Sequence, residues 1–251
     1  MEIPNSMSNR ISAPATGGPR SFLEGYKDGS YLKKNPTWHV EESPFKVKYI
    51  LQLLRRNSLD VHSVCEAGCG VGEVLRLLQL EMPPGVELTG FDISPQAHEL
   101  SAPRENEHLH FMLADITQES ALHFDLLLVL DVIEHLEDYF SFLRAVRGIS
   151  QYKIFHFPLD LSVQAVIRKD GLLKRRRDHD HIHYFSRETV LATLADAGYH
   201  VVDCFFAPRS NEIGPNFVQK LFRLPRAALF ALDQQLAVRT LGGYSFMILA
   251  E

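Results

Sequence analysis

Apolar and polar positions alternate in blocks along this chain, and the blocks switch period in a regular order. Short apolar runs at 61–67, 86–92, 108–115, 124–131 and 152–158 read as strands, and helical spacing appears between them at 72–81, 95–102 and 135–148. In "FDLLLVLD" (124–131) apolar residues occupy consecutive positions, so both faces of that strand need covering. Strands alternating with helices predict a mostly parallel sheet with helices on both faces. Further on, "SRETVLATLADAG" (186–198) reads as a helix closed by Gly198, followed by strands at "YHVVDCFFA" (199–207) and "YSFMILAE" (244–251). Two late strands separated by a long connection suit a sheet of seven strands whose last strand is antiparallel.

The same spacing organises the beginning of the chain. "SPFKVKYILQLLRRN" (43–57) predicts a helix with Ser43 as N-cap and Pro44 at the first helical position, burying Phe45, Tyr49, Ile50, Leu53 and Leu54. Residues 1–20, rich in Ser, Pro, Asn and Gly, read as a mobile tail. Residues 21–251 read as one domain.

Composition narrows the function classes. The 251 residues are 45% hydrophobic and 23% charged, as in ordinary globular proteins, and the formal net charge of −5 argues against a general nucleic-acid coat. Three cysteines with no CxxC pair point to reduced thiols and a cytoplasmic setting. No apolar run reaches the length of a membrane span, and the N-terminus lacks a secretory apolar region. Histidine is abundant, with 12 residues, three of them in "HDHIH" (179–183).

The first candidate chemistry sits at a strand-to-helix junction, "CEAGCGVGE" (65–73). Gly68, Gly70 and Gly72 permit a tight turn and close approach of a ligand to the N–H groups of the next helix. A dinucleotide fingerprint would place a third glycine at position 73, where this chain has Glu73. Glu66, two residues before the first glycine, is poorly suited to a pyrophosphate and well suited to a ligand carrying a positive charge and an amino group.

E-x-G-x-G-x-G resembles the first motif of class I S-adenosylmethionine-dependent methyltransferases, and the later motifs follow in order. Asp92 in "GFDIS", with Ile93 beside it, matches the acid that accepts the ribose hydroxyls. Asp115 in "LADIT" matches the residue that reads the adenine amino group, with Ile116 as apolar neighbour of the ring. "FDLLLVLDVIEHL" resembles the fourth motif, beside the methionine part and the substrate. The resemblance spans roughly residues 45–205. It implies a Rossmann-like α/β fold, S-adenosylmethionine as cofactor, and Glu66, Gly68, Cys69, Gly70, Asp92, Ile93, Asp115, Ile116 and Asp131 as its binding residues. It further implies that 21–60 forms a lid and helix, that 159–185 is a substrate-facing insertion and that 208–243 is a late helical insertion. In "NPTWHVEESPFK" (35–46), Trp38 and His39, with Tyr31 just upstream, are candidates for that lid.

After the fourth strand come Asp131, Glu134 and His135, expected to share one face of a first helical turn. With His181 and His183 they are the expected acceptor-facing, catalytic set. "DVIEH" followed by H-x-H-x-F-S resembles the ubiquinone-biosynthesis O-methyltransferases. It is also similar to small-RNA 2′-O-methyltransferases, in which an E-x-x-E-H cluster and a later histidine hold a divalent metal; here the first glutamate is Asp131. Three readings stay open: metal-free acid–base work by His135 or His181, a bound divalent ion, or simple capping and core polarity.

The expected reaction is therefore O-methylation of a small-molecule hydroxyl. N-methylation, RNA 2′-O-methylation and a non-catalytic cofactor-binding role are the rivals, and nucleic acid is the weaker partner on charge grounds. "RKDGLLKRRRD" (168–178), with six basic residues, reads as a solvated loop or as a clamp for an anionic acceptor. "NFVQKLFRLPRAALFALDQQLAVRTL" (216–241) is amphipathic on both sides of Pro225. Such a segment usually covers a sheet edge or a site mouth; resting on a membrane surface to receive a lipid-like quinone precursor is the other reading. Oligomeric state is open.

Overall fold

The apolar runs pair into one sheet. A computed structural model of the chain describes residues 23–119, 121–209 and 217–251; the expected tail at 1–20 and part of the late insertion lie outside them. The strands are β1 (Ser63–Ala67), β2 (Glu87–Asp92), β3 (Leu109–Leu113), β4 (Phe124–Leu130), β5 (Ser150–Pro158), β6 (Val201–Ala207) and β7 (Ser245–Ala250). Their order is β3-β2-β1-β4-β5-β7-β6. All neighbours are parallel except β7, which runs antiparallel to both β5 and β6. The fold is Rossmann-like, and the sheet has the seven strands and antiparallel last strand that the apolar pattern predicts. From β1 the chain moves outward to β2 and β3, then returns to place β4 on the other side of β1. That reversal opens a crevice at the carboxyl ends of β1 and β4.

The helices are α1 (Glu24–Lys27), α2 (Ser30–Lys34), α3 (Ser43–Arg56), α4 (Glu73–Glu81), α5 (Pro95–Ser101), α6 (Tyr139–Val146), α7 (Val163–Ile167), α8 (Gly171–His179), α9 (Arg187–Asp196), α10 (Phe217–Leu232) and α11 (Gln234–Leu241). Period-two alternation in β4 sends Leu126, Leu128 and Leu130 into one apolar layer with Ile50 and Leu53 of α3 and Leu75 and Leu78 of α4. Leu127 and Val129 enter the opposite layer with Leu143 and Val146 of α6 and Val190 and Leu194 of α9. Each such fully buried side chain contributes about 1.5–3 kcal/mol of transfer free energy, which is why β4 cannot slip register.

Three local expectations need correction. Ser43 is not an N-cap: a 3₁₀ turn at Val40–Glu42 runs straight into α3, so Ser43 already has helical backbone angles and Glu42 occupies the cap position. The helix expected over 135–148 starts only at Tyr139, because Ile133–His135 forms a 3₁₀ turn and Asp138 caps the helix through Ser141 N–H at 3.0 Å. The basic run is not a loop, since most of it forms α8.

Candidate active site

The crevice is a cavity of about 690 Å³. Its walls include Glu66 at the end of β1 with Gly68, Cys69 and Gly70 beyond it, Asp92 at the end of β2 with Ile93, Asp115 and Ile116 after β3, and Asp131 after β4. Parallel strands deliver these residues together because each apolar run stops at the same edge of the sheet.

Gly68, Gly70 and Gly72 all have positive φ, but the space their missing Cβ leaves is taken by protein. A Cβ on Gly68 would meet Val132 at 3.0 Å, one on Gly70 would meet the Trp38 ring at 3.2 Å, and one on Gly72 would overlap Phe111. Asp92 is buried; its Oδ2 accepts from Gly70 N–H and its Oδ1 from Ser94 N–H, both at 2.8 Å. Burial raises its carboxyl, and those two amides work against the rise. A carboxylate oxygen holding one bond keeps a further lone pair for a ligand hydroxyl. Asp115 accepts from Thr117 N–H at 3.0 Å and from the Thr117 hydroxyl at 2.7 Å.

Glu66 is buried with Oε2 unpartnered. Burial pushes its carboxyl up to about 8, with Lys46 pulling it down and Asp92 and Asp131 adding to the rise. An orphaned buried carboxylate on a cavity wall is a place for a donor, and a ligand ammonium fits it. Lys46, from α3, lies 2.7 Å from Asp131 Oδ2, while His156 Nδ1 lies 2.6 Å from Asp131 Oδ1. Burial alone would raise Asp131, but His156 and Lys46 outweigh it and hold the carboxyl well below the usual range.

A lid covers this end. Tyr26 stacks on Tyr31 at 4.4 Å, Tyr31 lies 4.9 Å from Trp38, and Trp38 rests on the glycine turn. Trp38 and His39 both have left-handed backbone conformation, φ 48° and 56°, unusual for bulky residues and the means by which the indole turns inward. Lys34 of α2 ties the lid to Asp180 at 2.6 Å.

The acidic and imidazole cluster is rearranged relative to expectation. Asp131, at φ 57°, turns to Lys46 and His156 and does not share a helical face with Glu134 and His135. The group that converges is Glu134, His135 and His181, with ligand atoms all within 4.8 Å of one another. His135 Nδ1 lies 3.2 Å from the Asp180 carbonyl, which only accepts, so Nδ1 carries the hydrogen and Nε2 a lone pair. His181 Nδ1 lies 2.6 Å from Asp160 Oδ2. The two Nε2 atoms lie 3.9 and 4.0 Å from Glu134 Oε1. Glu134 is fully buried behind both rings, off the cavity wall, and both its oxygens lack partners. Burial, then the nearby Asp131 charge, raise its carboxyl well above the usual range. Burial and the neighbouring His181 push His135 down to about 3.

His183, expected to face the acceptor, does not line the cavity. Ile182 and His183 N–H groups both donate to the Glu134 carbonyl, and His183 Nε2 is spent on the Leu136 carbonyl at 2.9 Å with its ring against Tyr139. It pins the segment that carries His181.

Several cavity residues stand outside the expected set of site residues. Lys46 lies in the first turn of α3; Arg209, paired with Glu42 through Nε at 3.1 Å, follows β6; Arg175 and His179 come from α8. Arg175 Nε lies 3.2 Å from Asp160 Oδ1. Asp160 was within reach of sequence reasoning, since it follows β5 just as the other site acids follow their strands.

Comparison with known proteins completes the picture. A family profile described as a methyltransferase domain matches residues 40–203. The chain belongs to this methyltransferase family. A ubiquinone biosynthesis O-methyltransferase of Pseudomonas syringae pv. tomato is 28% identical over 186 residues, covering 66% of this chain and 79% of the relative. Nodulation protein S of Sinorhizobium fredii is 28% identical over 170 residues, 65% of this chain and 72% of the relative. Among solved structures, the N-methyltransferase NodS of Bradyrhizobium japonicum in complex with S-adenosyl-L-homocysteine shares the fold with a TM-score of 0.57 at 18% identity, covering 92% of this chain and 98% of that one. The methyltransferase crevice in this chain fits S-adenosylmethionine: an unpartnered buried carboxylate for its ammonium, strand-end acids for its hydroxyls, and an aromatic lid over the glycine turn.

Proposed function

We propose that this methyltransferase methylates a hydroxyl oxygen of a small molecule, using S-adenosylmethionine as donor. The observation that carries the reading is the Asp160–His181 pair on the cavity wall, 2.6 Å apart. The carboxylate keeps a proton on Nδ1, leaves Nε2 to take one from the acceptor hydroxyl, and stabilises the imidazolium so formed. Asp160 is suited to this because, although burial raises its carboxyl, the His181 hydrogen bond and the charges of His181 and Arg175 hold it low. His135, neutral down to about pH 3, is a hydrogen-bond acceptor here and not the proton carrier.

When bound, S-adenosylmethionine supplies a methyl group on a positively charged sulfur, so a nucleophile needs only alignment and loss of its proton. Glu66 receives the ammonium and Lys46 the carboxylate of the amino-acid end. Asp92 takes the ribose hydroxyls and Asp115 the adenine amino group, with Ile93, Ile116 and Cys69 packing the rings. Asp131 holds Lys46 in place. The lid of Tyr26, Tyr31 and Trp38 excludes water from the crevice.

A second reading has its own support. A carboxyl oxygen of Glu134 and a ring nitrogen each of His135 and His181 converge, the Glu134 oxygens lacking any partner, and a divalent cation would satisfy all three groups. Glu134, His135 and His181 would hold it, and it would lower the pKa of a bound hydroxyl. The structural neighbour NodS is an N-methyltransferase, which keeps amine acceptors in view. RNA is opposed by the net charge of −5.

The test is calorimetric titration of S-adenosylmethionine into wild-type protein and Asp92→Ala, followed by a labelled-methyl screen of catechols and amines. Binding lost in the variant and label retained on catechol oxygen support the proposal. Label found only on amines would overturn the hydroxyl reading, and no binding by folded wild-type protein would overturn the donor assignment.

A further inference from the structure

Three aromatic rings line the stretch of cavity where the donor's charged sulfur belongs. On the donor assignment proposed above, Glu66 takes the ammonium end and Asp92 the ribose, so the sulfur lies between them, along the turn from Gly68 to Gly70. Trp38 rests on that turn: a Cβ on Gly70 would meet its Cε3 at 3.2 Å. The Tyr31 ring is centred 4.9 Å from Trp38 and the Tyr26 ring 6.4 Å from it, while the two tyrosines stack at 4.4 Å with planes 27° apart. Tyr26 then meets His135 edge-on, with centroids 6.2 Å apart and planes 78° apart. All four rings line the cavity, so the aromatic wall runs from the glycine turn to the acceptor end.

The acids around this stretch are each engaged. Asp92 accepts from two backbone amides, Asp131 is held by Lys46 and His156, and Glu66 faces the ammonium. The rings themselves are not closed off as core. Trp38 is half-buried, and its Nε1–H, itself buried, has no hydrogen-bond partner among the described residues. Nor do the tyrosines supply an anion, since burial raises both phenols above the ordinary range and the neighbouring charges add to the rise. A sulfonium has no hydrogen to donate, so hydrogen bonds do not distinguish it from a thioether. An aromatic π cloud does, because it attracts a cation more strongly than a neutral sulfur. Each ring that meets the charge away from water is worth about two- to thirtyfold in affinity.

We propose that Tyr26, Tyr31 and Trp38 are the part of the donor site that distinguishes a charged sulfonium from a neutral thioether, so that the lid holds S-adenosylmethionine and loosens once the methyl has left. The experiment is calorimetric titration of S-adenosylmethionine and of S-adenosylhomocysteine into the full chain. The two ligands share every group except the methyl and its charge, so their affinity ratio cancels what Glu66, Lys46, Asp92 and Asp115 contribute. Trp38→Leu is expected to shift that ratio toward S-adenosylhomocysteine by about fivefold, and Tyr31→Leu by about threefold. Trp38→Phe and Tyr31→Phe keep a ring and should stay within about twofold of wild type. Lys34→Ala, which frees the lid from Asp180 without removing a ring, should weaken both ligands alike. Sinefungin, which carries an ammonium group in place of the methylated sulfur, should follow S-adenosylmethionine in the variants, separating charge from methyl bulk. Trp38 is the single tryptophan of the chain, so wild-type fluorescence gives a reading that needs no variant. At saturation S-adenosylmethionine should alter it more than S-adenosylhomocysteine does. An unchanged ratio in both leucine variants, equal fluorescence changes, or sinefungin following S-adenosylhomocysteine would each mean that the rings merely close the crevice. Any of these would overturn the inference and leave the donor assignment standing. Folded wild type that binds neither ligand would overturn the donor assignment and this inference with it.

Discussion

Glu134 Oε1 and His181 Nε2 stand 4.0 Å apart, too far for a hydrogen bond. With His135 Nε2 at 3.9 Å, a fully buried carboxyl is left with two imidazoles for company and no donor. The carboxyl responds by holding its proton, which the rise caused by burial and by Asp131 expresses. Replacing it by an amide should then change little: Glu134→Gln is expected to keep its stability within about 1 kcal/mol at pH 7, read by urea denaturation. The same variants separate the metal reading. If Mn²⁺ or Zn²⁺ raises the melting temperature of wild type and leaves Glu134→Gln unmoved, a cation and not a proton occupies the gap.

With Glu66 receiving the ammonium, as proposed, cofactor binding should depend on pH. In the free protein its carboxyl is pushed up to about 8, chiefly by burial, so it is protonated at pH 7. An ammonium brought against it favours the carboxylate, and binding releases the proton. Affinity for S-adenosylmethionine should rise with pH from 6 to 8, by up to about tenfold per unit. Calorimetry in buffers of different ionisation enthalpy reads the proton directly; no proton release at pH 7 would refute the assignment.

Stability carries the opposite sign for the same group. A carboxyl whose folded pKa is raised is protonated in both states below about pH 4, and it costs folding energy as pH climbs to the folded value. Glu66→Gln removes that cost. It should melt on the order of 2–4 °C higher than wild type at pH 8 without ligand, and no higher at pH 4, while losing cofactor affinity.

Most of the fold was legible because the apolar period reports which faces are covered, and each of the seven runs overlaps its strand and ends within two residues of the strand's end. The acids on the cavity wall were legible for the same reason: Glu66 and Asp92 lie at the ends of their strands and Asp115 just after one, and strand ends share one edge. Arg209 was not, since it reaches the cavity from a loop with no motif, and Lys46 and Arg175 lie in segments read as a lid and as a loop or clamp without being singled out as site residues. Nor could spacing place Asp131, Glu134 and His135, because i, i+3 and i+4 share a face only in an α-helix. Here Asp131 takes left-handed backbone and the next residues a 3₁₀ turn. His183 looked equivalent to His181 by sequence, and only the hydrogen bonds to the Glu134 and Leu136 carbonyls distinguish them.

Asp131 should be the costliest of the site acids to remove. It neutralises Lys46 on one side and orients His156 on the other, and its left-handed backbone tolerates Asn better than Ala. Asp131→Ala is expected to lose about 3–5 kcal/mol in urea denaturation, and Asp131→Asn clearly less. Because its folded pKa is held low, the stability it contributes is present above pH 4 and lost as pH falls through that depressed value. Asp131→Ala should therefore lose most of its difference from wild type in strong acid.

The glycine turn offers the last test, because it separates a ligand's need for glycine from the protein's own. Gly72 and Gly85 have similar backbones, φ 76° and 87°, so alanine strains both. They differ in surroundings: nothing lies within 4 Å of a Cβ on Gly85, whereas one on Gly72 would overlap the Phe111 ring in the core beneath the turn. Gly85→Ala should cost about 1 kcal/mol, the strain alone. Gly72→Ala adds overpacking of about 1–3 kcal/mol to that strain. The difference should persist without any ligand, since the clash is with protein. Shaving the obstacle should recover part of it: Gly72→Ala combined with Phe111→Leu is expected to be more stable than the two single losses added together. Strict additivity in that double-mutant cycle would mean that Phe111 is not what requires glycine at position 72.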